Sequence, residues 1–305
     1  MKPVLVIGDL NADLILTGLS GHPRYGREVL VRGCRLTLGG SGAIFACGLA
    51  RLGHPVRFLG KVGRDSTGDA VLGMMRRRGV DVSGIRRDGA TGTGIAVAFT
   101  QTDDRALVSY LGTVATTTAR DVAVRSWRAH SHLHMTSPFL QFGLRDRFPS
   151  LLRRAKREGL TTSLDPGWDP RERWDLASIT PWVDVLFVNE IEARALTGMR
   201  NPKDAALILV ERVPMAVVKI GPKGAIAATS GALKIAVSHP VDPVDTTGAG
   251  DTFDAGFLHA WLQKRPLDEA LALGCACGAL STLKPGGYEG QPTRREAYRL
   301  MKRSE

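Results

Sequence analysis

Short apolar runs recur along the whole chain, and stretches with apolar residues at helical spacing lie between them. PVLVIGD at the start, VRFLGKV near 56–62, HLHM near 132–135, TTSLD at 161–165, DVLFV at 184–188 and MAVVKI at 215–220 read as strands. Segments 42–52, 68–78, 143–158 and 203–212 read as amphipathic helices. Strand alternating with helix predicts βαβ units, and so a mainly parallel sheet with helices on both faces. The later strands are nearly all apolar, as parallel strands buried on both faces are. Two segments break the rhythm. Residues 14–38 read as short strands and turns without a helix, and 91–111 as two alternating strands joined by a turn at Thr102-Asp103-Asp104. Though distant in sequence, they can pair into a small sheet. The expected architecture is therefore a single three-layer α/β/α domain over 1–305 carrying a β lid from about 14–38 and 91–111. No long linker, internal repeat or low-complexity segment divides the chain.

At 305 residues with 43% hydrophobic and 23% charged, the chain can bury a large core, which excludes collagenous, disordered and disulfide-scaffold classes. No apolar run reaches the roughly 18–20 residues a membrane helix needs. The opening MKPVLVIGDL is broken by Asp9 too soon for a signal peptide. Cys34, Cys47, Cys275 and Cys277 lack zinc-type spacing and point to a reducing compartment, so a cytoplasmic protein without membrane association is expected. The net charge of +11 raises the question of nucleic acid, but the arginine runs are short and no aromatic residues interleave with them. Nucleic-acid binding is not expected. His130, His132 and His134 alternate, which would put them on one side of a strand. Same-face neighbours diverge and no further ligand lies near, so they read as buried or edge-strand histidines rather than a metal site.

The strongest chemical signal is Asp245-Thr246-Thr247-Gly248-Ala249-Gly250-Asp251, followed by a helical pattern through Phe253, Phe257, Leu258, Trp261 and Leu262. Glycines at a helix mouth let backbone N–H groups approach an anion, and the helix dipole adds its positive end. A carboxylate among those donors repels a phosphate, yet it is well placed to take the proton of a hydroxyl attacking one. Asp251 is thus a candidate base, and Gly248, Ala249 and Gly250 a candidate anion hole. The plain alternative is a glycine-rich turn with Asp251 as N-cap. A second glycine-rich stretch, Gly39-Gly40-Ser41-Gly42, also leads into a helix. Phe45 stands where a dinucleotide fingerprint needs its third glycine, and no G-x-x-x-x-G-K-[ST] occurs anywhere.

Together these two stretches resemble the paired signatures of the ribokinase-like (PfkB) carbohydrate kinase family. The resemblance extends over nearly the whole chain. Val6–Asp13 is similar to the family's first strand, Gly60–Gly68 to its G-x-D-x-x-G turn, Asn189–Glu192 to its N-x-x-E motif and Val218–Gly224 to its nucleotide-binding turn. It implies a ribokinase-like fold and ATP-dependent phosphorylation of a hydroxymethyl group on a sugar or nucleoside, an alcohol-group phosphotransfer with Asp251 as base. It further implies that Asn11, Asp13, Gly39, Gly40, Ser41 and Asp165 face the acceptor, and that Lys219, Gly221, Lys223 and Gly224 meet the nucleotide. Asn189 and Glu192 would organise Mg2+ chiefly through waters. Asp245 and Thr247 match positions whose backbone oxygens hold a monovalent cation in some relatives, which makes K+ a candidate activator. Lids in this family often pair between subunits, so a homodimer is expected.

Departures concern the acceptor. Ile44 stands where the family often has an asparagine, and Ser41 and Thr136 where ribokinases proper carry a lysine and an acidic residue, so three polar contacts to ribose are absent or altered. Each lost bond costs about 1 kcal/mol or more. Ile44 could instead face a base. The expected function is a sugar kinase, with a nucleoside kinase and a non-catalytic sugar-binding or regulatory relative as the alternatives.

Overall fold

Strand β1 (Val4–Ile7) is four apolar residues, all buried, and its side chains alternate between two cores. Val4 and Val6 pack in one cluster with Phe45, Phe58 and Phe257, whereas Leu5 and Ile7 pack in another with Leu133, Phe148 and Leu186. A strand buried on both faces needs helices above and below it. The computed structural model describes residues 2–21, 23–100 and 105–302, and it supplies those helices.

After β1 the chain runs through β2 (Asn11–Thr17), β3 (Gly33–Gly39), α1 (Ser41–Arg51), β4 (Val56–Gly63), α2 (Ser66–Arg77), β5 (Val80–Asp88), β6 (Gly94–Thr100) and β7 (Arg105–Tyr110). It continues through the single turn α3 (Thr113–Thr116), β8 (His132–Thr136), α4 (Phe148–Arg157), β9 (Thr161–Asp165), β10 (Val185–Asn189), α5 (Glu190–Thr197) and α6 (Pro202–Leu209). The last elements are β11 (Met215–Lys219), β12 (Ala225–Thr229), β13 (Ala232–Ala236), α7 (Ala249–Leu262), α8 (Leu267–Ser281) and α9 (Arg294–Met301). The main sheet has the order β13-β12-β11-β10-β9-β8-β1-β4-β5. From β11 to β5 the pairing is parallel, and β12 and β13 add antiparallel at one edge. Helices α1, α2, α7, α8 and α9 cover one face, and α4, α5 and α6 the other. This is the expected three-layer arrangement. No helix of the described residues is long and apolar enough to cross a membrane.

The two segments that break the rhythm do pair, in a four-stranded sheet of order β3-β2-β6-β7. The expected turn at 102–104 lies outside the described residues. Register sorts the side chains: Leu36, Leu14, Val97 and Val108 form one row across the strands, and Ile15, Ala98 and Leu107 lie on the opposite face. The sheet begins earlier than the pattern suggests. β1 stops at Ile7, and Asn11 and Asp13 stand on the first strand of the small sheet rather than on a continuation of β1. Gly8 marks the exit, because a Cβ there would strike the Thr136 hydroxyl and lie 2.9 Å from the Gly42 Cα of α1. Elsewhere the β12–β13 hairpin, turned by Ser230-Gly231, is an addition to the expected strands. The expected helix over 143–158 begins only at Phe148, with Pro149 in its first turn, where a missing N–H costs little.

Two of the three alternating histidines share a face. Ser163 Oγ lies 2.7 Å from His132 Nε2 and 2.7 Å from His134 Nδ1, within the core beneath α1 and α7. His130 precedes β8 and turns its Nδ1 to the Ser126 carbonyl at 3.1 Å.

Candidate active site

Gly248 stands at the N-cap of α7 with φ 69°, a left-handed conformation that favours glycine. A Cβ there would also lie 2.6 Å from the Gly287 Cα, so backbone of the loop between α8 and α9 packs directly on it. No side chain caps this helix. Asp251 is its third residue rather than its N-cap, which removes the plain reading of Asp251 as a cap. The Ala249 N–H donates to the Thr246 carbonyl at 3.2 Å, while Gly250 and Asp251 hold first-turn positions for which the helix itself offers no carbonyl. Asp251 is half-buried. Burial, helped by the Asp165 and Asp9 carboxylates, pushes it up to about 7, against the opposing pull of the Lys219 ammonium and the Ser41 hydroxyl.

One turn further along α7 lies Asp254, fully buried, a residue the sequence pattern did not single out. Lys219, at the end of β11, donates to Asp165 Oδ2 at 2.6 Å and to both Asp254 oxygens at 3.1 Å. Burial opposes the charge on Lys219, but the Asp165 and Asp254 carboxylates outweigh it and hold the ammonium above its ordinary value. Burial also pushes Asp165 upward, yet Lys219 and the hydrogen bonds it receives hold it below the usual carboxylate range. Asp254, desolvated beside Asp165, is held far above that range. Lys219 and Asp165 were expected on the nucleotide and the acceptor respectively. The structure joins them to each other beneath α7, where a Cβ on Gly250 would lie 3.2 Å from Lys219 Nζ.

A cavity of about 270 Å³ opens between the two sheets. It brings together Asn11 and Asp13 of β2, Gly40 and Ser41 at the start of α1, and Thr247, Gly248 and Asp251 at the start of α7. Asn11 Nδ2 donates to Asp13 Oδ1 at 2.9 Å. Gly39 sits behind that pair, since a Cβ there would strike the Asp13 carboxylate and lie 2.6 Å from Asn11 Nδ2. The cavity also reaches Asp9, another residue the sequence analysis left without a role. Its carboxylate accepts from the Ser41 N–H at 2.9 Å, the Gly42 N–H at 3.1 Å and the Thr136 hydroxyl at 2.8 Å. Thr136 thus supports Asp9. Ile44 lines the wall, its methyls against Gly248 and Gly287.

Outside the lining of that cavity, Gly221–Lys223 form a one-turn 3-10 helix with Gly221 at φ 57° and Gly224 at φ 108°, and Lys223 is exposed. Asn189 caps α5 reciprocally with Glu192: Asn189 Nδ2 donates to Glu192 Oε1 at 2.7 Å, Asn189 N–H to Oε2 at 2.9 Å, and Glu192 N–H to Asn189 Oδ1 at 2.9 Å. Burial and the Asp165 charge push Glu192 up to about 7. Asp245 Oδ1 takes the Thr247 N–H at 2.9 Å and its hydroxyl at 2.7 Å, and Oδ2 takes the Gly286 N–H at 2.8 Å.

Comparison with known proteins gives the family. The model of the pfkB family carbohydrate kinases matches residues 1–294. A ribokinase of Haemophilus influenzae is 27% identical over 98% of both chains. An ATP-dependent ribose-1-phosphate kinase of Halopiger xanaduensis is 32% identical over 94% of both chains. Among solved structures, an E. coli protein provisionally named Ribokinase II, in complex with ATP and Mg2+, superposes with a TM-score of 0.88 at 24% identity, covering 99% of this chain and 100% of its own. The chain belongs to the pfkB family of carbohydrate kinases and is an ATP-dependent phosphotransferase with an alcohol group as acceptor.

Proposed function

We propose that the cavity holds the acceptor and that Asp251 takes the proton from its hydroxymethyl group as the γ-phosphoryl group of ATP transfers to that oxygen. One observation carries this: Asp251 lies on the cavity wall and, at the same time, in the first turn of an uncapped helix. An acceptor held by Asn11 and Asp13 on β2 could therefore present a hydroxyl both to a base and to N–H donors that stabilise charge on the transferred group. The raised carboxyl of Asp251 suits a base working near neutral pH.

Lys219 then acts through position. Bridging Asp165 and Asp254, it ties β9 and β11 to α7 and keeps a cation beneath Gly250. Gly221, Lys223 and Gly224 are left as the part of the turn that would meet the nucleotide. Asn189 and Glu192 fit a hydrated Mg2+: their free valences are oxygen lone pairs, and each Glu192 oxygen keeps one beyond the N–H it accepts. No cluster of three or more acidic, histidine or cysteine groups able to cage a metal occurs among the described residues, which suits an ion bound with nucleotide phosphates. When bound, it would supply neutralising charge to those phosphates. The backbone oxygens of Asp245 and Thr247 are the proposed seat of K+. The small sheet acts as a lid that excludes water, and its outer row of Leu14, Leu36, Val97 and Val108 supports pairing of two lids in a homodimer. Ile44 on the cavity wall favours nucleosides as a second acceptor class.

The test is ADP release with Mg-ATP and K+ across ketoses, aldoses, sugar acids, sugar phosphates and nucleosides. One acceptor with turnover abolished in Asp251→Asn is the expected result. Wild-type turnover in that variant removes Asp251 as base, and binding of a sugar without any ADP release points to a regulatory sugar-binding protein.

A further inference from the structure

The only charged side chains lining the cavity among the described residues are three carboxylates, Asp9, Asp13 and Asp251. Lysine, arginine and histidine are absent from that lining, again among the described residues. Lys219, buried beneath Gly250 and outside that lining, has its ammonium engaged by Asp165 and Asp254. Much of the remaining wall is apolar, with Ile44 from α1, Ile15, Ala98 and Leu107 from the small sheet and Leu140 from the loop after β8. An anionic group entering there gives up its hydration, meets no cation and faces like charge. Hydroxyls meet the opposite situation, because carboxylates accept from them and a ring face packs on the isoleucines.

We infer that this chain selects an uncharged polyhydroxylated acceptor, lying with an apolar face on Ile44 and Ile15, and rejects acceptors carrying phosphate or carboxylate. The inference rests on reading the cavity as the acceptor site. It narrows the acceptor to neutral sugars, polyols and nucleosides and sets aside sugar phosphates and sugar acids.

The experiment uses matched pairs that keep a hydroxymethyl group: ribose against ribose 1-phosphate, fructose against fructose 1-phosphate, and glucose against gluconate. For the 305-residue chain, kcat/KM from ADP release and thermal stabilisation by each compound without nucleotide are measured side by side. The uncharged member should be preferred at least ten-fold in kcat/KM and should stabilise the protein more. In Ala96→Lys, which sets an ammonium beside Asp13 on the cavity wall, the preference should shrink by about ten-fold in favour of the anionic member. An anionic member that is preferred by the wild type, in turnover or in stabilisation, overturns the inference while leaving the kinase reading intact. Stabilisation by uncharged members without ADP release from any pair does the reverse.

Discussion

Helices α1 and α7 begin alike and end up with opposite roles. Each has a glycine N-cap at positive φ, 90° at Gly40 and 69° at Gly248, and neither has a capping side chain of its own. Each therefore offers first-turn N–H groups and the positive end of a dipole to an anion. At α1 that anion is internal. The carboxylate of Asp9, 32 residues before Ser41, takes the Ser41 and Gly42 N–H groups and is itself fixed by Thr136. At α7 the carboxylate in the first turn is the helix's own Asp251, turned to the cavity. The same glycine signal opens on a proposed anion site in one case and is taken by an internal carboxylate in the other, and a residue distant in sequence decides which.

The largest effect expected is in Asp251→Asn. Loss of a general base should lower kcat by about 10²–10⁴-fold, with ATP affinity by calorimetry nearly unchanged. In the wild type, kcat/KM should fall as pH drops below about 7, because Asp251 becomes protonated there. Stability runs the other way. The unfolded carboxyl ionises near 3.8 and the folded one near about 7, so the native state is progressively disfavoured as pH rises through that window. Asn lacks this penalty, and at about 1.36 kcal/mol per pH unit the variant should gain up to roughly 4 kcal/mol at pH 8, vanishing by pH 4. A variant that is inactive and also less stable at pH 8 would contradict the placement of Asp251.

Next in size is Lys219→Met, which leaves Asp165 and Asp254 buried without their cation. Removing one partner from a buried ionic cluster costs about 3–5 kcal/mol, to be read in chemical denaturation. An effect below 1 kcal/mol would mean that the cluster is far better hydrated than its burial indicates.

How much of this is legible in the sequence follows from the range of the interactions. The α/β alternation, the small sheet and the α7 motif are local, written as period, turn chemistry and glycine spacing. Asp254 is a different case. It sits three residues after Asp251 in an apolar helix, and its partner Lys219 ends an apolar strand 35 residues earlier. A lone acid and a lone base in two apolar segments are the available signal, but only the sheet order shows that they meet. Asp9 is similar, since the chain after Gly8 reads as a continuing strand until the approach of α1 turns it away. The pairing of Lys219 with Asp165 rests wholly on the adjacency of β9, β10 and β11, which spacing does not encode.

Asp9→Ala should be milder than either change above. It frees two α1 N–H groups and the Thr136 hydroxyl, for a loss of about 1–3 kcal/mol. If α1 is only a floor, kcat should fall far less than in Asp251→Asn. A loss of kcat as large as that of Asp251→Asn, with the melting temperature unchanged, would make Asp9 a second reacting group and erase the contrast between the two helix starts.

The finest test uses the glycine at the second position of each helix, Gly42 and Gly250. In Gly42→Ala the new methyl would lie 2.8 Å from the Gly8 Cα and from the Thr136 hydroxyl, both inside the packed floor. Overpacking of that kind costs about 1–3 kcal/mol. In Gly250→Ala the nearest atom is the Lys219 ammonium, at 3.2 Å and held by Asp165 and Asp254, so the few tenths of an ångström it must give offset the roughly 1 kcal/mol by which alanine favours a helix over glycine. Stability should therefore change less than in Gly42→Ala. The methyl presses on Lys219 directly beneath the N–H groups proposed to receive the transferred phosphoryl, so turnover should drop several-fold. One substitution at equivalent positions thus separates the helices, with α1 losing stability and α7 losing rate. Equal melting temperatures and equal rates in the two variants would show that both helix starts serve packing alone.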